Sequence, residues 1–237
     1  MDDMDRWAIN IDIEGFSLTY DSDPQAMVSL RALMDGIFKM GSNCYPNSPE
    51  RIFAHQLGDG FLIVGEFGSE KLHKPVAIAT VLMQHVLANG GAAKASISEG
   101  DFADIQGCYP ESIRRANSRN GTVSMGEGLM TTFSVMGTAL INAFKLSSKA
   151  PSGSLLVTHE SYSDRLPEEV NTTTISEQNL ISIDWIHSDF PISDEIHSQT
   201  DLGKTKVSEL ESDMRRYIDE NSLRLEWKTN TQVLLNI

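Results

Sequence analysis

The chain has 237 residues, 40% of them hydrophobic, which is enough for one sizeable globular core. Its formal charge of -14 excludes a protein that tracks along DNA or RNA, because phosphate neutralisation needs dense Lys and Arg. No apolar run reaches membrane-spanning length, acidic Asp2, Asp3 and Asp5 stand where a secretory signal would be basic, and Cys44 and Cys108 form neither a disulfide framework nor a metal-ligand spacing. A cytoplasmic protein with no membrane and no nucleic-acid partner is expected.

Residues 7–13 are apolar and β-branched with partial alternation, predicting a strand that stops at Glu14-Gly15. Asp23-Pro24 offers an N-cap and a first-turn proline. Met27, Leu30, Leu33, Met34 and Ile37 follow at helical spacing, so a helix is expected to about Met40. Residues 43–50 read as a loop, and 51–55 with 61–67 as a hairpin turning at Gly58-Asp59-Gly60. A second helix is predicted over 75–88 and a strand over 92–98. A polar excursion follows over 107–127, and then a helix over 139–149 closed by Pro151 and Gly153. Short strands are expected at 154–158 and 181–186. In the tail, 207–217 is amphipathic and 223–237 alternates as a strand pair around Thr229-Asn230. This order describes an α+β fold with a mainly antiparallel sheet and helices packed on one face.

Two carboxylates stand out. Asp12 ends an apolar strand, and Asp59 lies between two glycines at a hairpin tip. If their strands are neighbours, the oxygens converge at one rim of the sheet, an arrangement suited to Mg²⁺ or Mn²⁺. Backbone amides after Asp12 can form an anion-binding nest. Taken singly, Asp59 reads first as a turn residue and Asp12 as a solvated strand end; the pair carries the signal.

The sequence Ile11-Asp12-Ile13-Glu14-Gly15-Phe16-Ser17 resembles the first metal-binding strand of the class III nucleotidyl cyclases, and Leu57-Gly58-Asp59-Gly60-Phe61 resembles the second. Residues 96–100 resemble a later strand of that family, and 137–146 its glycine-to-helix motif, in the family's order. The resemblance spans about residues 7 to 160 and implies a ferredoxin-like catalytic domain over 1–186, with 187–237 a C-terminal segment of helix and strands packed on it.

The resemblance further implies a homodimer with shared active sites, each holding two Mn²⁺ or Mg²⁺ ions on Asp12, Ile13 and Asp59, with Gly15 and Phe16 near the nucleotide. The family's purine-reading Lys or Glu falls on His55, and its partner position on Ser134. The ribose-orienting Asn falls on Ile141, beside Asn142, and the transition-state Arg falls on Lys145, a charge without the guanidinium fork.

With both purine codes absent, the pattern looks like the pyrimidine cyclases of bacterial Pycsar antiphage systems. There His55, Ser134 and Tyr45 would surround a pyrimidine nucleoside triphosphate, and the cyclic product would signal to a separate effector protein. UTP is the preferred substrate. CTP, a purine triphosphate, and a nucleotide-binding domain without turnover are the alternatives. Lys204 and Lys206 are candidates for a late phosphate-binding position, while Trp185 and Trp227 read as core.

Overall fold

The computed structural model of the protein describes residues 5–16, 24–44, 52–68, 71–116, 121–132 and 135–237. Strand β1 (Arg6–Ile13), helix α1 (Pro24–Asn43), the hairpin β2 (Ile52–Leu57) and β3 (Gly60–Gly68), helix α2 (His73–Ala88) and strand β4 (Ala93–Gly100) follow in the expected sequence. They pair antiparallel in the order β4-β1-β3-β2, the ferredoxin-like arrangement. Beyond β4 the sheet continues with β5 (Leu156–His159), parallel to β4, then β7 (Leu180–Ile183) and β6 (Thr172–Ile175), making seven strands.

Period-two alternation assigns the strand residues to two different cores. Trp7, Ile9, Ile11 and Ile13 of β1 face a large cluster with Phe61 and Ile63 of β3 and with Val76, Leu82, Met83 and Leu87 of α2. Ile9, Ile11 and Leu82 are fully buried, each worth about 1.5–3 kcal/mol of transfer free energy. Ala8, Leu62 and Val64 point the other way and meet Ala139, Leu140 and Ala143 of helix α3 (Thr138–Lys149).

The fold class is the expected one, but the helices do not all pack on one face. α1 and α2 cover one face, whereas α3 lies on the other. Its small buried stripe fits against Ala8 because β4 and α3 come into backbone contact. A Cβ on Gly137 would sit 2.0 Å from the Asp101 carbonyl, and one on Gly100 2.6 Å from the Ala139 nitrogen. Asp101 also caps α3, accepting from the Thr138 N–H at 2.7 Å.

The excursion between β4 and α3 holds a short exposed helix (Glu111–Ala116) and a small hairpin (Thr122–Met125 with Gly128–Thr131). The tail is helical throughout: α4 (Pro191–Thr200), α5 (Val207–Glu220) and α6 (Leu225–Leu234). The strand pair expected around Thr229-Asn230 is therefore α6. Its inward residues Trp227, Thr231 and Leu235 recur every fourth position, and a polar Thr in the middle hides that period in the sequence. Thr231 is buried because its hydroxyl accepts from the Ser154 N–H at 3.0 Å. Leu210, Met214, Ile218 and Trp227 of the tail join the main core. Among the described residues, no helix is long and apolar enough to cross a membrane.

Candidate functional site

In-register partners on neighbouring strands share a face. One row across the sheet reads Lys94, Asp12, Gly60 and Leu57; two residues further in, another reads Ser96, Asn10, Leu62 and His55. Because Leu62 packs under α3, both rows belong to the α3 face, at the end of the sheet where β1 finishes and β3 begins.

Asp59 sits in the two-residue turn between Leu57 and Gly60, with Gly58 taking the positive φ of +66° that a tight hairpin turn needs. The hairpin backs onto Asp12 with nothing between. A Cβ on Gly60 would lie 2.7 Å from Asp12 Oδ1 and 2.7 Å from the Ile11 carbonyl. Asp12 and Asp59 thus converge at one rim.

The electrostatics fit a cation. Burial pushes the Asp12 carboxyl up to about 6, and the charges of Asp59 and Glu14 push in the same direction. Burial also raises Glu14, against a hydrogen bond from Trp227 and the charge of Lys94. Lys94 is lowered by burial, opposed by Glu14 and Asp12, and its ammonium donates to the Ala150 carbonyl at 3.0 Å.

Among the described residues, no three His, Cys, Asp or Glu side chains gather as a ready-made metal shell. Asp12 and Asp59 supply two carboxylates. Ile13 is 3% exposed with its side chain in the core, so its backbone carbonyl is what it can offer. Two hard carboxylates that destabilise one another suit Mg²⁺ or Mn²⁺, which complete their shells with water and phosphate oxygens.

Gly15 follows the strand end with φ of +76°, and Phe16 is partly buried against the main core. His55 is half-buried, and burial lowers its pKa, favouring the neutral imidazole. Tyr45 and Ser134 lie outside the described residues.

Asn142 and Lys145 do not reach Asp12. They line a separate groove of about 230 Å³ with Ser98, Lys149, His159 and Tyr162. Ser98 pairs with Ala8, four residues up β1 from Asp12, or roughly 13 Å at strand rise. On α3, Ile141 is 45% exposed and borders no part of that groove, so Asn142 is the better placed of the two.

Lys204 is held by Asp189 at 2.7 Å and Asp194 at 2.6 Å; with Lys206 it borders a cavity beside Gln84 of α2, on the opposite face. That placement removes it from the phosphate role. Trp185 and Trp227 are core residues, as expected.

Lys94 belongs to no motif of the sequence, and Glu14 stands there only as the residue at which the first strand stops. A lysine between two alanines in a strand is the signal that marks Lys94, and only the register shows that it faces Asp12.

A scan against protein-family models and a search of curated proteins return no match. Solved structures similar to the chain include a bacterial light-regulated adenylyl cyclase, at 9% identity and TM-score 0.48 over 85% of this chain and 57% of that one. The catalytic core of a rhodopsin-guanylyl cyclase with converted specificity, in complex with ATPαS, is similar at 8% identity and TM-score 0.43, covering 76% of this chain and 94% of that one. A class III adenylyl cyclase-like ATP-binding protein from Pseudomonas aeruginosa is similar at 13% identity and TM-score 0.41, over 82% of this chain and 40% of that one. The chain thus spans a little over half the length of the light-regulated enzyme.

Proposed function

We propose that the protein is a nucleotide cyclase that converts a pyrimidine nucleoside triphosphate, UTP by preference, to its 3′,5′-cyclic monophosphate and pyrophosphate. The observation that carries the reading is the convergence of Asp12 and Asp59 at one rim, with Gly60 leaving no room between hairpin and strand. The four ordered sequence motifs around them support it.

Asp12, Asp59 and the Ile13 carbonyl would hold divalent cations, which when bound would lower the pKa of the ribose 3′-hydroxyl and neutralise the triphosphate. The chain's own residues do the rest. Backbone at Gly15 and Phe16, just past the end of β1, is assigned to the phosphate oxygens on the strength of the motif. His55, on the Asp12 face and kept neutral by burial, stands at the base-reading position, where a neutral imidazole can either donate or accept, whereas a lysine would only donate and a glutamate only accept. Asn142 orients the ribose, and Lys145 balances charge that develops on the α-phosphate.

Because the Asn142 and Lys145 groove and the carboxylate rim do not meet within one chain, a second copy completes each site. Exposed apolar side chains favour such a dimer: Phe144 is 58% exposed, one turn from Ile141 on α3, and Leu129 on the small hairpin is 71% exposed. In this reading the cyclic product carries an infection signal to a separate effector.

Purified protein incubated with Mn²⁺ and each of the four ribonucleoside triphosphates, with products read by mass spectrometry, tests it. Cyclic UMP or cyclic CMP is expected. Product from ATP or GTP alone would overturn the pyrimidine reading, and no product would overturn the enzyme. A nucleotide-binding domain without turnover is the second reading. It is favoured by the apolar Ile141 at the ribose position and by a lysine where the family carries arginine.

A further inference from the structure

Glu14 is a third carboxylate beside Asp12 and Asp59, and its side chain does not join them. Its backbone N–H still donates to the Ala92 carbonyl at 2.9 Å, so the β1–β4 ladder continues one residue beyond Ile13. Strand alternation would place Glu14 on the Asp12 face, two residues on. Instead Trp227 Nε1 donates to Glu14 Oε2 at 2.5 Å, and Trp227 belongs to the core on the opposite face. The Tyr217 hydroxyl donates to the Glu14 carbonyl at 3.3 Å, and its ring packs 5.9 Å from that of Trp227. These partners lie 203 and 213 residues away in sequence, on α5 and α6. The tail helices therefore close on the segment that follows the first site carboxylate.

We propose that Trp227 is a positioning residue: by holding Glu14, it keeps a third carboxylate away from the Asp12 and Asp59 pair, so that cations bound there retain open positions for triphosphate oxygens. The inference rests on the reading of Asp12 and Asp59 as metal ligands. A glutamate two residues from a ligand, without a restraint, is within reach of the cation, and hard cations accept extra carboxylates readily. A buried carboxylate that loses its only indole donor is also poorly solvated, which drives it toward the nearest positive charge. Lys94 acts on Glu14 through its charge, which it divides between Glu14 and Asp12, while the hydrogen bond of its ammonium goes to the Ala150 carbonyl.

The test is Mn²⁺ binding by the full chain without nucleotide, read from the electron paramagnetic resonance signal of the free ion. It compares wild type, Trp227→Phe, Glu14→Gln and the double variant. Trp227→Phe is expected to bind Mn²⁺ about tenfold more tightly while its KM for nucleotide rises, and Glu14→Gln in that background to restore both. Glu14→Gln alone changes Mn²⁺ affinity by less than about threefold, which keeps the test decisive even if Trp227→Phe unfolds. Unchanged or weaker Mn²⁺ binding by folded Trp227→Phe overturns the proposal. So does a large loss of affinity in Glu14→Gln, which would make Glu14 a ligand already. The metal reading fails separately, and visibly, if Asp59→Ala binds Mn²⁺ as wild type does.

Discussion

The two faces of the central sheet are built from alternate residues of the same strands and have opposite characters. On the α2 side, β1 presents Trp7, Ile9, Ile11 and Ile13 to a closed apolar core. On the α3 side it presents Ala8, Asn10 and Asp12; α3 covers Ala8 and Asn10, while Asp12 at the strand end stays partly open. One face supplies stability, and the other accepts instability: a raised carboxyl at Asp12 and a lowered ammonium at Lys94. Crowded charges retained at the edge of a packed fold are characteristic of sites kept for chemistry.

Substitutions should separate the faces. Asp12→Asn is expected to lower cyclase turnover by about a thousandfold or more while raising thermal stability. The stabilisation is about 1 kcal/mol, since Asp12 is partly solvated and screening reduces the full effect of its shift. A fall in both activity and melting temperature would make Asp12 an ordinary structural residue. Ile11→Ala, one residue away on the other face, is expected to lose about 3 to 4 kcal/mol in urea unfolding with turnover per folded molecule unchanged.

A mixture of Asp12→Asn and Lys145→Ala proteins, each inactive alone, is expected to recover about a quarter of wild-type activity, because half the dimers then carry one intact site. No recovery would place both residues in one chain's site.

The smallest expected effect lies away from both faces. His187 bonds Asp184 at 2.8 Å and Glu211 at 2.9 Å, tying the loop after β7 to α5. Burial lowers its pKa, but the hydrogen bonds its ring donates to Glu211 and Asp184 outweigh that, and the net shift is upward. A raised histidine adds stability that is complete below its unfolded pKa of about 6.5 and is lost as pH rises through the folded value. Wild type minus His187→Gln should therefore show a stability difference of a few tenths of a kcal/mol that shrinks above about pH 6.5. A difference that grows with pH would show the reverse linkage.

Much of this architecture was legible in the sequence because its signals are local. Alternation in β1, the Gly58-Asp59-Gly60 turn and the stripe of α2 each fit within a short window, and the convergence of Asp12 with Asp59 follows once β1 and β3 pair. What escaped depends on distance or on a polar residue at an apolar position. Thr231 concealed the helix α6, and the polar run at 191–200 concealed α4, despite a proline at its start. The hydrogen bond between Glu14 and Trp227 joins residues 213 apart, and no window spans them. The separation of Lys145 from Asp12 within one chain is what the family resemblance implies, since a site shared between two protomers draws its carboxylates from one chain and its α3 groups from the other.

The close approach at Gly60 has a consequence for how the site fails. The spacing of the two carboxylates is fixed by main chain touching main chain, at a position where no side chain fits. Loosened packing elsewhere cannot stretch that spacing gradually. Destabilised variants should therefore lose activity in step with the fraction of molecules folded, and each surviving molecule should work at full rate.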